Sequence, residues 1–382
     1  MLQITNATIH TPGRVIPRGS VVIDGSRIVA AGAAGDVPVA TGATVINAGG
    51  MILVPGFIDL QLNGAFGHDF TADPAAIWRV AAGLPRYGVT AFLPTIITSP
   101  REQVEAGMQV VRDGRPKDFR GAAPLGLHVE GPFLNPKKKG AHNQQYLRPP
   151  TPEAVAGWSP ASGVRLVTMA PENPGALEVI AALASRGVVV STGHSMATYD
   201  EAVAGFDAGA RYGTHLFNAM PALGHRDPGL PGALLADDRM TVGFIADGVH
   251  THRSIIALVW RMLGPRRMSL VTDAMAALGM PPGSHRLGDY DVYVDATSCR
   301  LADGTLAGSI LELDQALRNL LDITGCSLDE ALETMTTTPA KLLGLDGERG
   351  RIAPGYTADI VLLSSDLRVQ TTIASGEVAF AA

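Results

Sequence analysis

The sequence predicts an α/β protein: a barrel of eight parallel strands alternating with helices, joined to a small β-sandwich domain built from both chain termini. Three observations carry this. Eight apolar runs of strand character recur along the middle of the chain: MILVPGFIDL, VTAFLPT, PLGLHVE, VRLVTMAPE, GVVVSTGH, ARYGTH, TVGFIADG and MSLVTDA. The segments between them, such as PAAIWRVAAGLPRYG, NPGALEVIAALASRG, ATYDEAVAGFDAG and HRSIIALVWRMLG, carry apolar residues at helical spacing and end at Gly. The first fifty residues and the last stretch, ADIVLLSSDLRVQTTIASGEVAF, instead alternate short β-rich runs with turn signals. Eight strand and helix units suit a (β/α)8 barrel of the TIM type, whose usual size is roughly 250 residues. The expected division is 1–54 with 355–382 for the β domain and 55–354 for the barrel.

Length and charge narrow the function. At 382 residues the chain exceeds the usual span of one hydrophobic core. A formal net charge of -6, with only 30 Lys and Arg, offers no footprint for nucleic acid. The N-terminal MLQITNATIHTPGR has neither a basic region nor a continuous apolar stretch. No segment reaches the roughly 20 apolar residues that span a bilayer, so no membrane partner is expected. Cys299 and Cys326 are too few for a disulfide framework and lack the short spacing of a thiolate zinc site; a reducing compartment, the cytoplasm, fits.

Each central run turns polar at its C-terminal end: Asp59 and Gln61, Thr95, Glu130, Glu172, His194, His215, Asp247 and Asp273. In a barrel those ends converge on one mouth, where such folds place their chemistry. Loop solvation accounts for Thr95 and Glu172. It does not account for imidazoles ending two consecutive strands. His194 and His215 are therefore candidate ligands of a metal such as zinc, and Glu130 adds a carboxylate from a third strand. Two histidines and a glutamate leave coordination positions open, the pattern of a catalytic site. Asp273 is placed to take a proton from an activated water, or alternatively to cap the following segment. His128 shares a face with Glu130, and its place is packing or support of the ligands. Lys137, Lys138 and Lys139 read as a solvated loop that can steer an anion. Gly304 and Gly308, in LADGTLAGSILELDQAL, suit a mobile flap.

The motifs PGFIDLQLNG, GLHVEGPFLNPKKKGAHN, STGHS, GTHLFNAMP, FIADGVH and LVTDAM, in that order, resemble those of the N-acetylglucosamine-6-phosphate deacetylases within the amidohydrolase superfamily. The similarity runs over essentially the whole chain. It implies metal-dependent hydrolysis of an acetamide on a phosphorylated amino sugar. Glu130, His194 and His215 would bind the metal, Asp273 would be general base and then acid, and His142 would polarise the acetyl carbonyl. Most amidohydrolases end the first strand with His-x-His around a second metal. Gln61 and Asn63 stand there instead, so the resemblance implies one divalent ion, zinc first, with Fe2+, Co2+ or Mn2+ as alternatives. Gln61 and Asn63 are then expected against substrate. For the phosphate, the family pattern points to His250, Asn218, Ala219 and Arg226, with Arg226 reaching in from the neighbouring subunit of a homodimer. Competing readings are another amidohydrolase, acting on the galactosamine epimer, a cyclic amide or a purine, and a scaffold that has lost catalysis. The intact set of Glu130, His142, His194, His215 and Asp273 argues against the scaffold.

Overall fold

A computed structural model describes residues 1–382. All eight expected barrel strands form: Phe57–Leu62, Val89–Ile97, Leu127–Glu130, Val164–Met169, Val189–Thr192, Tyr212–Gly213, Thr241–Phe244 and Met268–Leu270. They pair in parallel in that order. A core of 72 buried residues fills the barrel and the space beneath its helices. Because parallel strands are covered on both faces, their sequences read as apolar runs instead of alternating ones; Val89–Ile97 is buried at every position. No helix is long and apolar enough to cross a membrane.

The first and eighth strands close the ring chiefly at its upper rim. Asp273 N–H donates to the Gln61 carbonyl at 2.9 Å and Asn63 N–H to the Ala274 carbonyl at 2.7 Å. Lower down, the turn at Thr334 and Met335 is spliced between them, accepting the Leu270 and Ile58 amides. Asp59 straps the seam: its carboxylate accepts the Gln61 and Thr272 amides and, at 2.6 Å, the Thr272 hydroxyl.

Two departures from the expected alternation matter for the site. The connection after the third strand has no α-helix, only short 3-10 turns at Pro136–Lys138, Gln144–Tyr146, Pro152–Val155 and Pro160–Ser162. Its prolines forbid a continuous helix. After the eighth strand, a three-stranded antiparallel sheet (Gly283–Leu287, Tyr290–Val294, Cys299–Arg300) precedes helix Leu313–Thr324. It packs on its own nine-residue apolar cluster, which includes Leu287, Val292 and Cys299.

The strands from Leu2 to Pro55 and from Ile360 to Ala381 form one eight-stranded sheet around fourteen buried residues, among them Ile4, Ile23, Leu53, Ile360 and Ile373. Strand Ile360–Leu363 pairs with Ile52–Pro55, immediately before the first barrel strand. The two ends of the chain thus meet at the barrel's entry.

Burial pushes the Asp59 carboxyl up to about 7, against the hydrogen bonds from Thr272 and Gln61 that favour its ionised form. An acid whose folded pKa is raised keeps its proton in the folded state where the unfolded chain has lost it, so stability falls as pH rises from 3.8 to about 7. Asn at this position accepts the same two amides and donates to Thr272 without ionising. Denaturant midpoints across this window should decline less steeply in Asp59→Asn than in the parent. Parallel curves would show that Asp59 does not titrate there.

Candidate metal centre and active site

The polar strand ends do converge. Glu130 Oε1 lies 3.2 Å from His194 Nε2 and 3.2 Å from His215 Nε2, and the two Nε2 atoms are 3.1 Å apart. Three electron-pair donors facing one another at this spacing leave room for a cation. Tetrahedral coordination with metal to ligand distances of ~2.0–2.1 Å puts ligand atoms about 3.3 Å apart. The residues therefore fit a metal ion, and this buried cluster could hold one. The Lys138 carbonyl accepts from His194 Nδ1 at 2.8 Å, which fixes the tautomer and turns the Nε2 lone pair toward Glu130.

Electrostatics within the ion-free cluster follow from that contact. Burial alone would push Glu130 up; the two imidazoles outweigh it and hold the carboxylate well below its usual range. Burial likewise disfavours a charged His215, but the Glu130 carboxylate outweighs it and raises the ring's pKa.

Asp273 stands on the other side of the mouth. Burial, and then the negative charge of Glu130, push it up to about 6. Asn63 Nδ2 donates to its Oδ1 at 2.7 Å. His142, 3 % exposed, has Nε2 3.8 Å from Glu130 Oε2. The Thr98 backbone N–H donates to His142 Nδ1 at 3.2 Å. Burial, reinforced by His194, lowers this ring to about 3. His142 is thus a neutral imidazole carrying its proton on Nε2, a donor directed into the site.

Backbone geometry at these positions is unusual. His194, His215 and Asp273 all adopt positive φ, at 48°, 31° and 49°. The left-handed region is uncommon for residues with a Cβ, and here it turns the chain from strand to loop so that the side chains meet over the barrel axis.

A cavity of about 510 Å³ opens above the cluster, lined by the three candidate ligands, His142, Asp273, Asn63, Asn218, Ala219 and His250. His250 is held by Asp247, which accepts from Nδ1 at 2.6 Å. Two expectations change. Gln61 is fully buried and does not line the cavity; its Nε2 donates to Glu130 Oε1 at 3.1 Å, so it stands behind the candidate ligand and not against a substrate. The lysines at 137–139, read as a solvated loop, line the cavity wall. Arg226 is exposed and lies outside this cavity, in a separate groove with Met196 and Tyr199. The packing reading of His128 holds, whereas loop solvation describes neither Glu172 nor Thr95, which is fully buried and accepts the Leu62 amide. His128 bonds Thr168, and Glu172 ties the loops after the third and fifth strands by accepting from Asn135, Ser195 and Met196.

Asp303 and Thr305–Gly308, from the segment read as a flap, form one wall of this cavity together with Leu287, which the sequence left unassigned. The glycines at 304 and 308 mark it, with φ of 87° and 67°.

A model of the amidohydrolase family matches residues 52–379. The chain belongs to the amidohydrolase family. This amidohydrolase is similar to the human N-acetylglucosamine-6-phosphate deacetylase, 44% identical over 351 residues, 87% of this chain and 85% of the human one. The Bacillus subtilis deacetylase of the same name is 35% identical over 335 residues, 86% of this chain and 85% of that protein. Among solved structures, the Pasteurella multocida N-acetylglucosamine-6-phosphate deacetylase superposes with a TM-score of 0.93 at 34% identity, covering all of both chains. A mutant of the Mycobacterium smegmatis enzyme, solved in complex with N-acetyl-D-glucosamine-6-phosphate, superposes with a TM-score of 0.89 at 36% identity over 99% of each chain. Amidohydrolases generally use a divalent metal, and the Glu130, His194 and His215 cluster is where this one could hold it.

Gln61→Leu removes the amide behind Glu130 while keeping bulk. It should weaken divalent-metal binding about 10- to 100-fold, as loss of such supporting contacts does, whereas Glu130→Gln should abolish stoichiometric binding. Metal content after dialysis and competition with a chelator distinguish the two; full metal retention in Glu130→Gln would remove Glu130 from the ligand set.

Proposed function

We propose that the protein hydrolyses the acetamide of N-acetyl-D-glucosamine 6-phosphate to D-glucosamine 6-phosphate and acetate. The observation that carries this is the meeting of Glu130, His194, His215, His142 and Asp273 at one cavity, in a chain 44% identical to an enzyme named for that reaction.

In this reading Glu130, His194 and His215 hold one divalent ion, Zn2+ by the His2Glu donor set. Fe2+, Co2+ and Mn2+ suit the same donors. When bound, such an ion supplies Lewis-acid polarisation and lowers the pKa of water. Asp273, with Oδ1 occupied by Asn63, takes the proton of the attacking water on Oδ2 and later delivers it to the departing amine. In the ion-free site burial and the Glu130 charge raise this carboxylate to about 6, and a bound cation would draw it lower, so it is ionised near neutral pH and open to that proton. His142 Nε2–H donates to the oxyanion that develops on the acetyl carbonyl. His250, Asn218 and Ala219 receive the phosphate from the cavity side. Arg226 completes that subsite from a second copy; its exposure outside its own cavity, beside exposed Met196, Tyr199 and Leu223, supports a homodimer in which this face is covered. The two free cysteines, Cys299 and Cys326, support a cytoplasmic location. The small β domain is residues 1–54 with 355–382, and the barrel is 55–354.

Acetate release from N-acetylglucosamine 6-phosphate, compared with the unphosphorylated sugar and the galactosamine epimer, tests the assignment. Metal-dependent turnover favouring the phosphorylated gluco sugar is expected. No turnover on any of the three, with metal bound, would move the substrate elsewhere in the family. Asp273→Asn should keep metal and fold but lose about 10²- to 10⁴-fold in turnover; near-parental turnover would exclude it as the base. Arg226→Ala should chiefly raise KM for the phosphorylated substrate, and an unchanged KM would return Arg226 to the solvated surface.

A further inference from the structure

Beneath the candidate metal centre a ribbon of hydroxyls and one imidazole crosses the barrel interior. His128 Nε2 bonds Thr168 Oγ1 at 2.7 Å, Thr168 bonds Thr214 Oγ1 at 2.7 Å, and Thr214 bonds Ser191 Oγ at 2.5 Å. At the other end Thr95 Oγ1 lies 3.4 Å from His128 Nδ1. All five residues are fully buried.

The ribbon is placed by the same strands that carry the ligands. His128 lies two residues before Glu130 on the third strand, Ser191 three before His194 on the fifth, and Thr214 immediately before His215 on the sixth. Thr168, on the intervening fourth strand, is the hub. An apolar barrel interior would pack without these groups, and five buried polar side chains are costly unless they are bonded to one another. Gly193, immediately before His194, makes room: a Cβ there would come 2.9 Å from Thr214 Cβ and 3.1 Å from Thr168 Cγ2. Neutral hydroxyls can each donate once and accept, so the chain satisfies itself without any net charge competing with the metal for Glu130.

We infer that this ribbon is a positioning device: by cross-linking the third, fifth and sixth strands through Thr168, it holds Glu130, His194 and His215 at coordination distance. The inference rests on the metal reading of those three residues. It makes Thr168, His128, Thr214 and Ser191 determinants of metal affinity although none of them faces the cavity.

The test is zinc affinity and release, measured by chelator competition on the full-length protein. The parent is compared with Thr168→Val, Thr168→Ser, Ser191→Ala and Val167→Ala, the last removing bulk from the neighbouring, oppositely directed position of the same strand. Thr168→Val should bind zinc about 10- to 100-fold more weakly, the usual effect of losing supporting contacts, and Ser191→Ala should shift in the same direction. Thr168→Ser should restore parental affinity. Val167→Ala should lower the unfolding midpoint without changing affinity. Parental affinity in Thr168→Val overturns the inference, as does an equal loss in Val167→Ala, which would make the effect one of general stability. If Thr168→Val does not fold, Ser191→Ala decides, and unchanged affinity there overturns it. A parent that binds no divalent metal overturns the metal reading and this inference with it.

Discussion

A buried carboxylate pressed against two imidazoles at the floor of the cavity is the contact on which the site's arrangement depends. Glu130 Oε1 has His194 and His215 at 3.2 Å and the Gln61 amide at 3.1 Å, so four polar groups from four strands share one point. In water such a cluster would disperse; where burial removes the solvent, it persists only if its lone pairs meet positive charge. Surrounding choices follow from that demand. Uncharged amides at Gln61 and Asn63 donate to Glu130 and Asp273, and the Lys138 carbonyl orients one imidazole.

The same demand explains why the barrel seam is polar. The first strand must carry Gln61 and Asn63 to the mouth and also close on the eighth, which carries Asp273. Asp59 and Thr272 join the two one turn of the pleat below. The β domain secures the lower end of that first strand, because Ile52–Pro55 belongs to its sheet and leads directly into Phe57. Chain ends far apart in sequence therefore fix the entry angle of the strand that supports the site.

Much of this was legible in the sequence because parallel strands buried on both faces are largely apolar, so the carboxylate or imidazole that closes a run marks its mouth end. That rule located Glu130, His194, His215 and Asp273 at the strand ends, while their division of labour came from the resemblance to a known family. It placed Gln61 on the correct face but not its partner, since the face of a strand is periodic while the contact across the barrel depends on Glu130, 69 residues away. The sheet at Gly283–Arg300 was not read from the sequence: GSHRL is largely exposed, and the alternation in YDVYV, with Val292 and Val294 inward, runs for only five residues. The missing third helix was written in prolines that a count of strand and helix units passes over. The Thr98 contact that fixes the His142 tautomer joins residues 44 apart and has no local signature at all.

The left-handed backbone at His194, His215 and Asp273 sets local stability against the chemistry of the site. Each such residue costs of order 1 kcal/mol or more relative to glycine, a penalty that selection for stability alone would remove by substitution. Three of them persist together at the rim of one cavity. Glycine there would relieve the backbone but remove the two imidazoles and the carboxylate, with the hydrogen bonds they make. Stability and chemistry therefore pull in opposite directions at these three positions.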